Sequence, residues 1–243
     1  MKGEQFTDLS KTITKKLNKN IKQQNGIFFT PQSIINTALN IINKQNIKFK
    51  NILEPSCGSG EFINIISEKL NYDKIDGIEF VKDIYDEIKN LYSSNDKISI
   101  INDDFLKYNT YKKYDLIIGN PPYYVLKKAA VNSSYNKYYN GRPNIFIIFI
   151  LKCLLNHLTD NGILCFVIPN SFLNTLWYNN TRKLIYESFE IIDIVHNVDD
   201  TYLETQQDTI TLIIKKTSKP KNDIIKHNNK YSLFYNNIYI LNN

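Results

Sequence analysis

The sequence predicts an α/β protein whose sheet has seven strands. Short apolar runs of strand length alternate along the chain with longer stretches of helical periodicity, which is the pattern of α/β folds. The 243 residues fit one large domain, and a composition of 42% hydrophobic and 22% charged residues is typical of a globular chain. No repeat of fixed period is present, which argues against solenoids and propellers.

The predicted strands are short, rich in isoleucine and leucine, and separated by polar or helical segments. They lie at 51–54, 74–79, 98–101, 115–118, 163–168, 191–195 and 209–214. Helices are predicted at about 31–43, 60–70, 81–92, 143–157 and 175–189. Thr30 is a candidate N-cap for the first of these helices, and Pro143 is expected in the first turn of the fourth.

The two ends of the chain differ from this middle part in composition. Five lysines and no acidic residue lie between Lys11 and Gly26, which favours a basic helical extension over residues 1–23. Residues 24–216 form the predicted main domain. Residues 217–243 are rich in lysine and asparagine and are predicted to be a polar tail.

Composition also argues against several protein classes. The longest apolar run, at 145–155, is about eleven residues long and falls short of the roughly 20 residues that span a bilayer. With no secretory signal in the N-terminal sequence, we expect a cytoplasmic protein, from a bacterium or virus with an AT-rich genome. Cys57, Cys153 and Cys165 form no CxxC pair, so we expect buried thiols and neither a disulfide framework nor a metal site.

A glycine-bearing loop follows the first strand and leads into a helix. It reads Glu54-Pro55-Ser56-Cys57-Gly58-Ser59-Gly60. Glycines let the backbone approach a ligand closely, and the helix N-terminus adds a partial positive charge. The loop lacks the third glycine of the dinucleotide fingerprint, so a tight turn without a ligand is an equal alternative at this point.

Acidic residues end the next two strands. Glu79 lies about twenty residues past the glycines, where a carboxylate accepts hydrogen bonds from a ribose diol. Asp104 and Phe105 follow the third strand and offer an acceptor for an exocyclic amine beside an apolar ring. Taken singly, each acid is an ordinary solvated charge at a strand end; together they predict an adenosine pocket.

The most specific motif in the chain follows the fourth strand and reads Asn120-Pro121-Pro122-Tyr123. Two consecutive prolines remove two backbone donors, so the turn carbonyls and the Asn120 side-chain oxygen can accept hydrogen bonds from a substrate NH2 group. Tyr123 supplies a ring that can stack on a flat substrate. The motif therefore predicts a planar substrate that carries an amino group.

In this order, over about residues 24–215, the motifs resemble the S-adenosylmethionine-dependent adenine-N6 DNA methyltransferases of the gamma class, as found in restriction–modification systems. The resemblance implies a Rossmann-like class I methyltransferase fold. Its sheet is mostly parallel with the last of seven strands antiparallel, and helices cover both faces. The implied reaction moves a methyl group from S-adenosylmethionine to N6 of adenine in DNA, after base flipping and without a metal.

The same resemblance implies roles for individual residues. Asn25-Gly26-Ile27-Phe28-Phe29-Thr30-Pro31 is similar to the N-terminal cofactor motif, and segments starting at Asn144 and Asn170 are similar to later family motifs. The implied cofactor-binding residues are Thr30, Pro31, Glu54, Pro55, Ser56, Gly58, Gly60, Glu79, Asp104, Phe105 and Asn120. The implied catalytic residues are Asn120, Pro121, Pro122 and Tyr123, and Tyr202 is implied as a second aromatic residue against the flipped base.

Residues 124–142, here called the basic loop, are predicted to contact nucleic acid. The loop interleaves tyrosines with four cations and contains no acidic residue, as grooves for single strands do. Its candidate contacts are Tyr124, Lys127, Lys128, Lys137 and Arg142. A mobile surface loop is the alternative.

The chain departs from the family in length, because about 28 residues follow Lys215 where single-chain members carry a target-recognition domain. A separate recognition subunit, low specificity or a truncated copy would each account for this. Two functional alternatives stay open. The substrate could be another planar amino group, on a structured RNA base or on a protein glutamine, as in the release-factor methyltransferases, or the chain could be a non-catalytic methyltransferase-like subunit. The Glu54-Pro55 and Thr30-Pro31 pairs favour adenine in DNA, and the intact motifs favour an active enzyme.

Overall fold

The structure is a computed structural model that describes residues 6–16, 29–197 and 208–222, and the backbone of three further strands between 225 and 241. Residues 25–28 of the N-terminal motif lie outside the described residues. Tyr202 lies outside them as well, so its implied role stays a prediction.

Seven strands form one sheet in the order β3-β2-β1-β4-β5-β7-β6. The strands are β1 (Asn51–Glu54), β2 (Lys74–Glu79), β3 (Ile98–Asn102), β4 (Tyr114–Gly119), β5 (Leu158–Pro169), β6 (Glu190–His196) and β7 (Thr209–Lys215). β7 runs antiparallel to both of its neighbours, whereas the pairs among β1 to β5 are parallel. The predicted seven-stranded sheet with an antiparallel last strand is confirmed.

The α-helices of the described residues are α1 (Asp8–Lys16), α2 (Gln32–Asn43), α3 (Glu61–Lys69), α4 (Lys82–Leu91), α5 (Ile145–Lys152) and α6 (Asn179–Ser188). A wide π-type turn, Cys153–His157, extends α5. No helix in this part of the chain is long and apolar enough to cross a membrane.

Both faces of the sheet are buried, which explains why its strands read as continuous apolar runs. On β4, Ile117 packs into a core formed with α5 and α6, whereas Leu116 and Ile118 pack on the other face with α2, α3 and α4. The alternation continues along β5, where Leu164 and Phe166 face the first core. The three cysteines, Cys57, Cys153 and Cys165, are free and buried, as expected.

Two helices begin differently from the prediction. The N-cap of α2 is Pro31, not Thr30, because the Thr30 hydroxyl is engaged by the side chain of Asn120. Asn144 caps α5 and accepts a hydrogen bond from the Phe146 N–H group. Pro143 therefore precedes α5 instead of forming its first turn, and its carbonyl accepts from the Leu126 N–H group (2.8 Å).

Three short antiparallel strands follow the main sheet, within the segment predicted as a polar tail. They are β8 (Ile225–His227), β9 (Lys230–Tyr235) and β10 (Ile238–Leu241), in the order β10-β9-β8. The prediction of a polar tail missed these strands, although the tyrosine, isoleucine and leucine residues of β9 and β10 are typical of strands. At the other end of the chain, α1 lies within the residues for which a helical extension was predicted.

Lys152, at the end of α5, is a buried cation that holds the connection after β3. Its Nζ donates to the carbonyl oxygens of Phe105 (2.5 Å), Leu106 (3.1 Å) and Tyr108 (2.6 Å). Burial lowers the pKa of this ammonium group. Because one side chain satisfies three backbone carbonyls, the shape of this connection depends on it.

Replacing Lys152 with methionine keeps most of the apolar packing but leaves those carbonyls without their donor. We expect Lys152→Met to lower the free energy of unfolding by about 2 kcal/mol, as for buried acceptors left unpaired. Urea unfolding measures this change. The exposed Lys48→Met control should shift the value by less than about 0.5 kcal/mol, and an equal loss in both variants would contradict the assignment.

Candidate active site

The strand order reverses between β1 and β4, and the candidate site lies at this point. The chain places β2 and β3 on one side of β1 and then returns to place β4 on the other. Ligands of open α/β sheets bind where the carboxyl ends of such strands part. Here these ends carry Glu54 and Asn120, and Ser56 Oγ donates to the Asn120 carbonyl (3.3 Å).

A cavity of about 310 Å³ opens at this edge of the sheet. The predicted residues that line it are Thr30, Glu54, Pro55, Ser56, Gly58, Glu79, Asp104, Phe105, Asn120, Pro122 and Tyr124. The other predicted site residues in the described part of the chain, which the lining does not include, are Pro31, Gly60, Pro121, Tyr123, Lys127, Lys128, Lys137 and Arg142. One cavity therefore gathers most of the predicted cofactor residues, from five separate segments.

The two glycines of the loop after β1 have different structural roles. Gly58 has a φ of +52°, and a Cβ there would lie 3.4 Å from the Phe29 ring, so the backbone itself faces the cavity. Gly60 has a φ of +80°, and a Cβ there would lie 2.8 Å from Ile88 Cδ1. Gly60 thus permits the turn and the packing against α4, behind the cavity wall.

Glu79 ends β2 and is held by the backbone around it. Its two oxygens accept from the N–H groups of Gly58 (2.8 Å) and Val81 (2.7 Å). Burial raises its pKa to about 7, although these hydrogen bonds oppose the rise. The carboxylate is therefore fixed in position and titrates in the neutral range.

Glu54 ends β1 and lies at the base of the cavity with 2% of its surface exposed. Burial raises the pKa of this carboxyl well above its ordinary value, and the neighbouring Glu79 raises it further. Within the described residues, Glu54 Oε2 has no hydrogen-bond partner. A buried carboxyl without a donor is costly, so a cationic or hydrogen-bonding ligand would stabilise it.

Helix α1 is fastened to the cavity wall through Glu61, the first residue of α3. Glu61 Oε1 accepts from the Thr7 N–H group (2.7 Å), from the Thr7 hydroxyl (2.9 Å) and from the Ser10 hydroxyl. Ser10 Oγ also lies 2.5 Å from Ser59 Oγ in the glycine loop. Apolar contacts join the same surfaces, since Phe6, Ile13, Phe29 and Ile84 form one cluster.

Aromatic side chains and Asp104 form the wall beside β3. Asp104 Oδ1 accepts from the Leu106 N–H group (3.0 Å), and Phe105 is buried against Phe149 with ring centroids 4.7 Å apart. Phe80, which the sequence reading did not assign, lines the cavity with 63% of its surface exposed. Its position directly after the acidic residue of β2 was the signal that could have identified it.

Asn120 joins the Asn-Pro-Pro-Tyr turn to Thr30 of the N-terminal motif. Its Nδ2 donates to the Thr30 hydroxyl (3.0 Å), and its Oδ1 accepts from the Tyr123 hydroxyl. The Tyr123 hydroxyl also lies 2.8 Å from the Val167 carbonyl oxygen. The Tyr123 ring packs edge-on against Phe146, with centroids 6.0 Å apart, instead of facing the cavity.

The basic loop is closed at its base and forms the outer rim of the cavity. Val125 and Asn144 form an isolated antiparallel bridge, and the Ile145 N–H group donates to the Tyr124 carbonyl (2.8 Å). The further lining residues, for which no individual role was predicted from the sequence, are Phe29, Cys57, Ser59, Glu61, Phe62, Phe80, Val81, Ile84, Asp103, Leu106, Lys107, Leu126, Ala130, Ile145 and Phe149. The four cations of the basic loop, Lys127, Lys128, Lys137 and Arg142, are all exposed.

This combination of sheet order, glycine loop and Asn-Pro-Pro-Tyr turn has a counterpart among known proteins. A family model described as Eco57I restriction-modification methylase matches residues 2–203. The chain belongs to the Eco57I restriction-modification methylase family. The resemblance to restriction–modification methyltransferases is confirmed.

Individual relatives agree with this family. The chain is 37% identical over 206 residues to the modification methylase CviBIII of Paramecium bursaria Chlorella virus NC1A, covering 83% of this chain and 53% of that protein. It is 33% identical over 211 residues to the type II methyltransferase M.CvrRI of Paramecium bursaria Chlorella virus XZ-6E, covering 87% and 54%. The chain thus spans about half the length of these two family members.

The fold is shared with class I methyltransferases. A Listeria monocytogenes structure described as a class I S-adenosylmethionine-dependent methyltransferase superposes with a TM-score of 0.73 at 18% identity, covering 91% of this chain and 70% of that one. The predicted fold class is confirmed. S-adenosylmethionine is the cofactor of this fold and of the Eco57I methylase family.

The cavity has the chemistry that this cofactor needs. The buried Glu54 oxygen without a partner can take an ammonium group, and the fixed carboxylate of Glu79 can accept from two hydroxyls. The exposed Phe80 ring provides an apolar surface for a flat heterocycle. The described residues therefore fit the methionine, ribose and adenine parts of the cofactor.

Docking of α1 should depend on the charge of Glu61. Glu61→Gln replaces a charged acceptor of several hydrogen bonds, each worth about 1.5–3 kcal/mol to a charged group. We expect the free energy of unfolding to fall by about 2 kcal/mol and the amide protons of residues 8–16 to exchange faster with deuterium. The exposed Glu68→Gln variant, on the same helix, is the control. Unchanged exchange in Glu61→Gln would show that apolar contacts alone hold α1.

Proposed function

We propose that the chain methylates the N6 amino group of adenine in DNA with S-adenosylmethionine as methyl donor. The observation that carries the proposal is the position of Asn120 at the junction of the cofactor cavity and its outer rim. A planar amino group held there would lie next to the ligand of the cavity. The family supports methyl transfer within restriction–modification systems.

The cofactor roles follow from the contacts of the cavity. We assign the methionine ammonium group to Glu54, the ribose hydroxyls to Glu79, and the adenine to Asp104 with Phe80 and Phe105. Thr30 accepts a hydrogen bond from the Asn120 side chain and so couples the N-terminal motif to residues 120–123, here called the catalytic turn. Bound in this cavity, the cofactor supplies an electrophilic methyl group on a positively charged sulfur.

The residues of the catalytic turn orient the substrate. The Asn120 side-chain oxygen and the Pro121 carbonyl accept the two hydrogens of the adenine amino group, which directs the nitrogen lone pair toward the cavity. In the present structure Asn120 Oδ1 accepts from Tyr123. The substrate amino group therefore replaces the tyrosine hydroxyl, and the ring turns from Phe146 to stack on the flipped base.

Charge favours DNA as the carrier of this adenine. The basic loop carries four exposed cations, and Tyr124 of the same loop lines the cavity. Cations in this arrangement bind phosphates, while the aromatic side chain can contact a base. Because the chain spans about half the length of its viral relatives, we further propose that a separate subunit or domain reads the target sequence.

Methyl transfer can be tested directly with the purified chain. Incubation with methyl-labelled S-adenosylmethionine and adenine-containing DNA, followed by digestion to nucleosides, should yield labelled N6-methyldeoxyadenosine. Parallel incubations contain RNA or protein in place of DNA, and label in either of these would identify a different amino group as the substrate. Cofactor binding without label in any of the three would point to a missing recognition subunit or to a non-catalytic role.

Two variants separate chemistry from cofactor binding. Asn120→Ala should lower turnover by at least about a hundredfold, the loss typical when a hydrogen bond made in the transition state is removed, and leave cofactor affinity nearly unchanged. Asp104→Ala should instead weaken cofactor binding. Calorimetry with S-adenosylhomocysteine measures the affinities, and loss of binding in both variants would show that Asn120 has a structural role.

Cofactor affinity should rise with pH because of Glu79. Its pKa is about 7, so the ionised fraction increases roughly tenfold between pH 6 and pH 8. Ribose hydroxyls donate to the ionised form, and affinity is expected to increase by up to about tenfold over this range. Glu79→Gln should bind more weakly with a flatter profile. An unchanged slope in this variant would assign the titration to another group, such as Glu54.

A further inference from the structure

Leu176 and Trp177 form an exposed apolar pair on the segment between β5 and α6, here called the Trp177 loop (residues 170–178). Leu176 is 66% exposed and Trp177 is 49% exposed. The loop follows the carboxyl end of β5, which pairs with β4 beside the catalytic turn. The pair therefore lies at the same edge of the sheet as Asn120.

A buried arginine holds the Trp177 loop in shape. Arg182 of α6 is fully buried and donates to the carbonyl oxygens of Phe172 (2.5 Å) and Thr175 (3.0 Å) and to the Asn179 side chain. Burial lowers the pKa of this guanidinium group to about 10. The exposed pair is thus presented by a fixed backbone, and little conformational entropy is lost when it contacts a partner.

The Trp177 loop and the basic loop form one surface. The Asn140 N–H group donates to the Trp177 carbonyl (2.9 Å), and Thr181 Oγ1 donates to the Tyr138 carbonyl (2.7 Å). A Cβ on Gly141 would lie 3.6 Å from the indole, so the backbone at Gly141 covers one side of that ring. The remaining exposed surface of the indole is available for stacking with another flat group.

The basic loop carries positive charge, and neither it nor the Trp177 loop contains an acidic residue. Between Pro121 and Tyr186 the only acidic residue of the sequence is Asp160, near the start of β5 and at the opposite edge of the sheet, where it pairs with Lys216 (2.9 Å). The exposed cations of the same stretch are Lys127, Lys128, Lys137, Arg142 and Lys183, of which Lys183 pairs with Glu187 (3.8 Å). A polyanion with flat apolar groups matches both the charge and the indole.

We infer that Trp177, assisted by Leu176, contacts nucleobases beside the catalytic turn. The indole stacks on a base of the substrate strand or fills space in the stack next to the flipped adenine, while the cations of the basic loop bind the flanking phosphates. This inference rests on the proposed function, because it names a second contact of the same DNA substrate. It adds a residue that none of the sequence motifs assigns.

Trp177 is the only tryptophan of the chain, so its fluorescence reports its environment directly. We expect adenine-containing DNA to quench the emission of the full chain strongly, because stacking on a base quenches indole fluorescence. Heparin is a polyanion without bases, and saturation with it should leave the emission nearly unchanged. Equal quenching by both polymers would show that charge alone brings DNA to this surface and would overturn the inference.

Affinity measurements with labelled DNA provide the second readout. Trp177→Ala should weaken binding at least about fivefold, the lower end expected for one stacked base, whereas Trp177→Phe should retain most of the affinity. The exposed Leu91→Ala variant on α4 is the matched control and should bind as the parent does. Unchanged affinity in Trp177→Ala would contradict the inference, and binding of S-adenosylhomocysteine checks that each variant is folded.

The outcomes separate this inference from the proposed function. A chain that methylates DNA without quenching of Trp177 overturns the inference alone. A chain whose Trp177 is quenched by DNA but which transfers no methyl group upholds it while the proposed reaction fails. Absence of DNA binding, or protection of Trp177 by a second protein in place of DNA, overturns it.

Discussion

The reversal of strand order between β1 and β4 is the constraint on which the rest of the site depends. It brings Glu54 and Asn120 to adjacent strand ends although they are 66 positions apart in the chain. The wall of the cavity comes from the segments that follow β1, β2 and β3, and Asn120 and Tyr124 come from the segment that follows β4. Parallel strands with buried faces make this edge rigid, and a rigid edge is what a transfer between two bound molecules requires.

Acidic residues lie in the cavity at this edge, whereas basic residues lie on the neighbouring surface. Glu54 and Glu79 lie in the cavity, where burial raises the pKa of each, and Glu61 closes its wall. The basic loop carries four cations, and neither it nor the Trp177 loop contains an acidic residue. A cationic cofactor and a polyanionic substrate would each meet a complementary field, and neither would be attracted to the site of the other.

The positions of the seven strands and 11 of the 26 residues that line the cavity could be predicted, because buried strands are continuous apolar runs and the motifs lie at their ends. The contacts that escaped prediction join distant positions. Thr30 looked like a helix cap but pairs with Asn120, 90 residues away, and Glu61 binds Thr7 and Ser10 through hydrogen bonds that no local pattern indicates. Phe80 was missed because an exposed phenylalanine after a strand has no periodicity. The strands β8 to β10 were missed because residues 217–243 were treated as one polar tail, although the part from Tyr231 to Leu241 is rich in tyrosine, isoleucine and leucine.

The attachment of α1 to Glu61 has a thermodynamic consequence for the whole chain. Ser59 and Glu61 line the cavity and at the same time bind α1. If the cofactor binds more tightly when α1 is docked, then, by reciprocity, the bound cofactor stabilises the docked position of α1 by the same free energy. To that extent, cofactor binding and the docking of α1 are linked. A substitution that loosens α1 would then also weaken cofactor binding, and a bound cofactor would hold α1 more firmly in place.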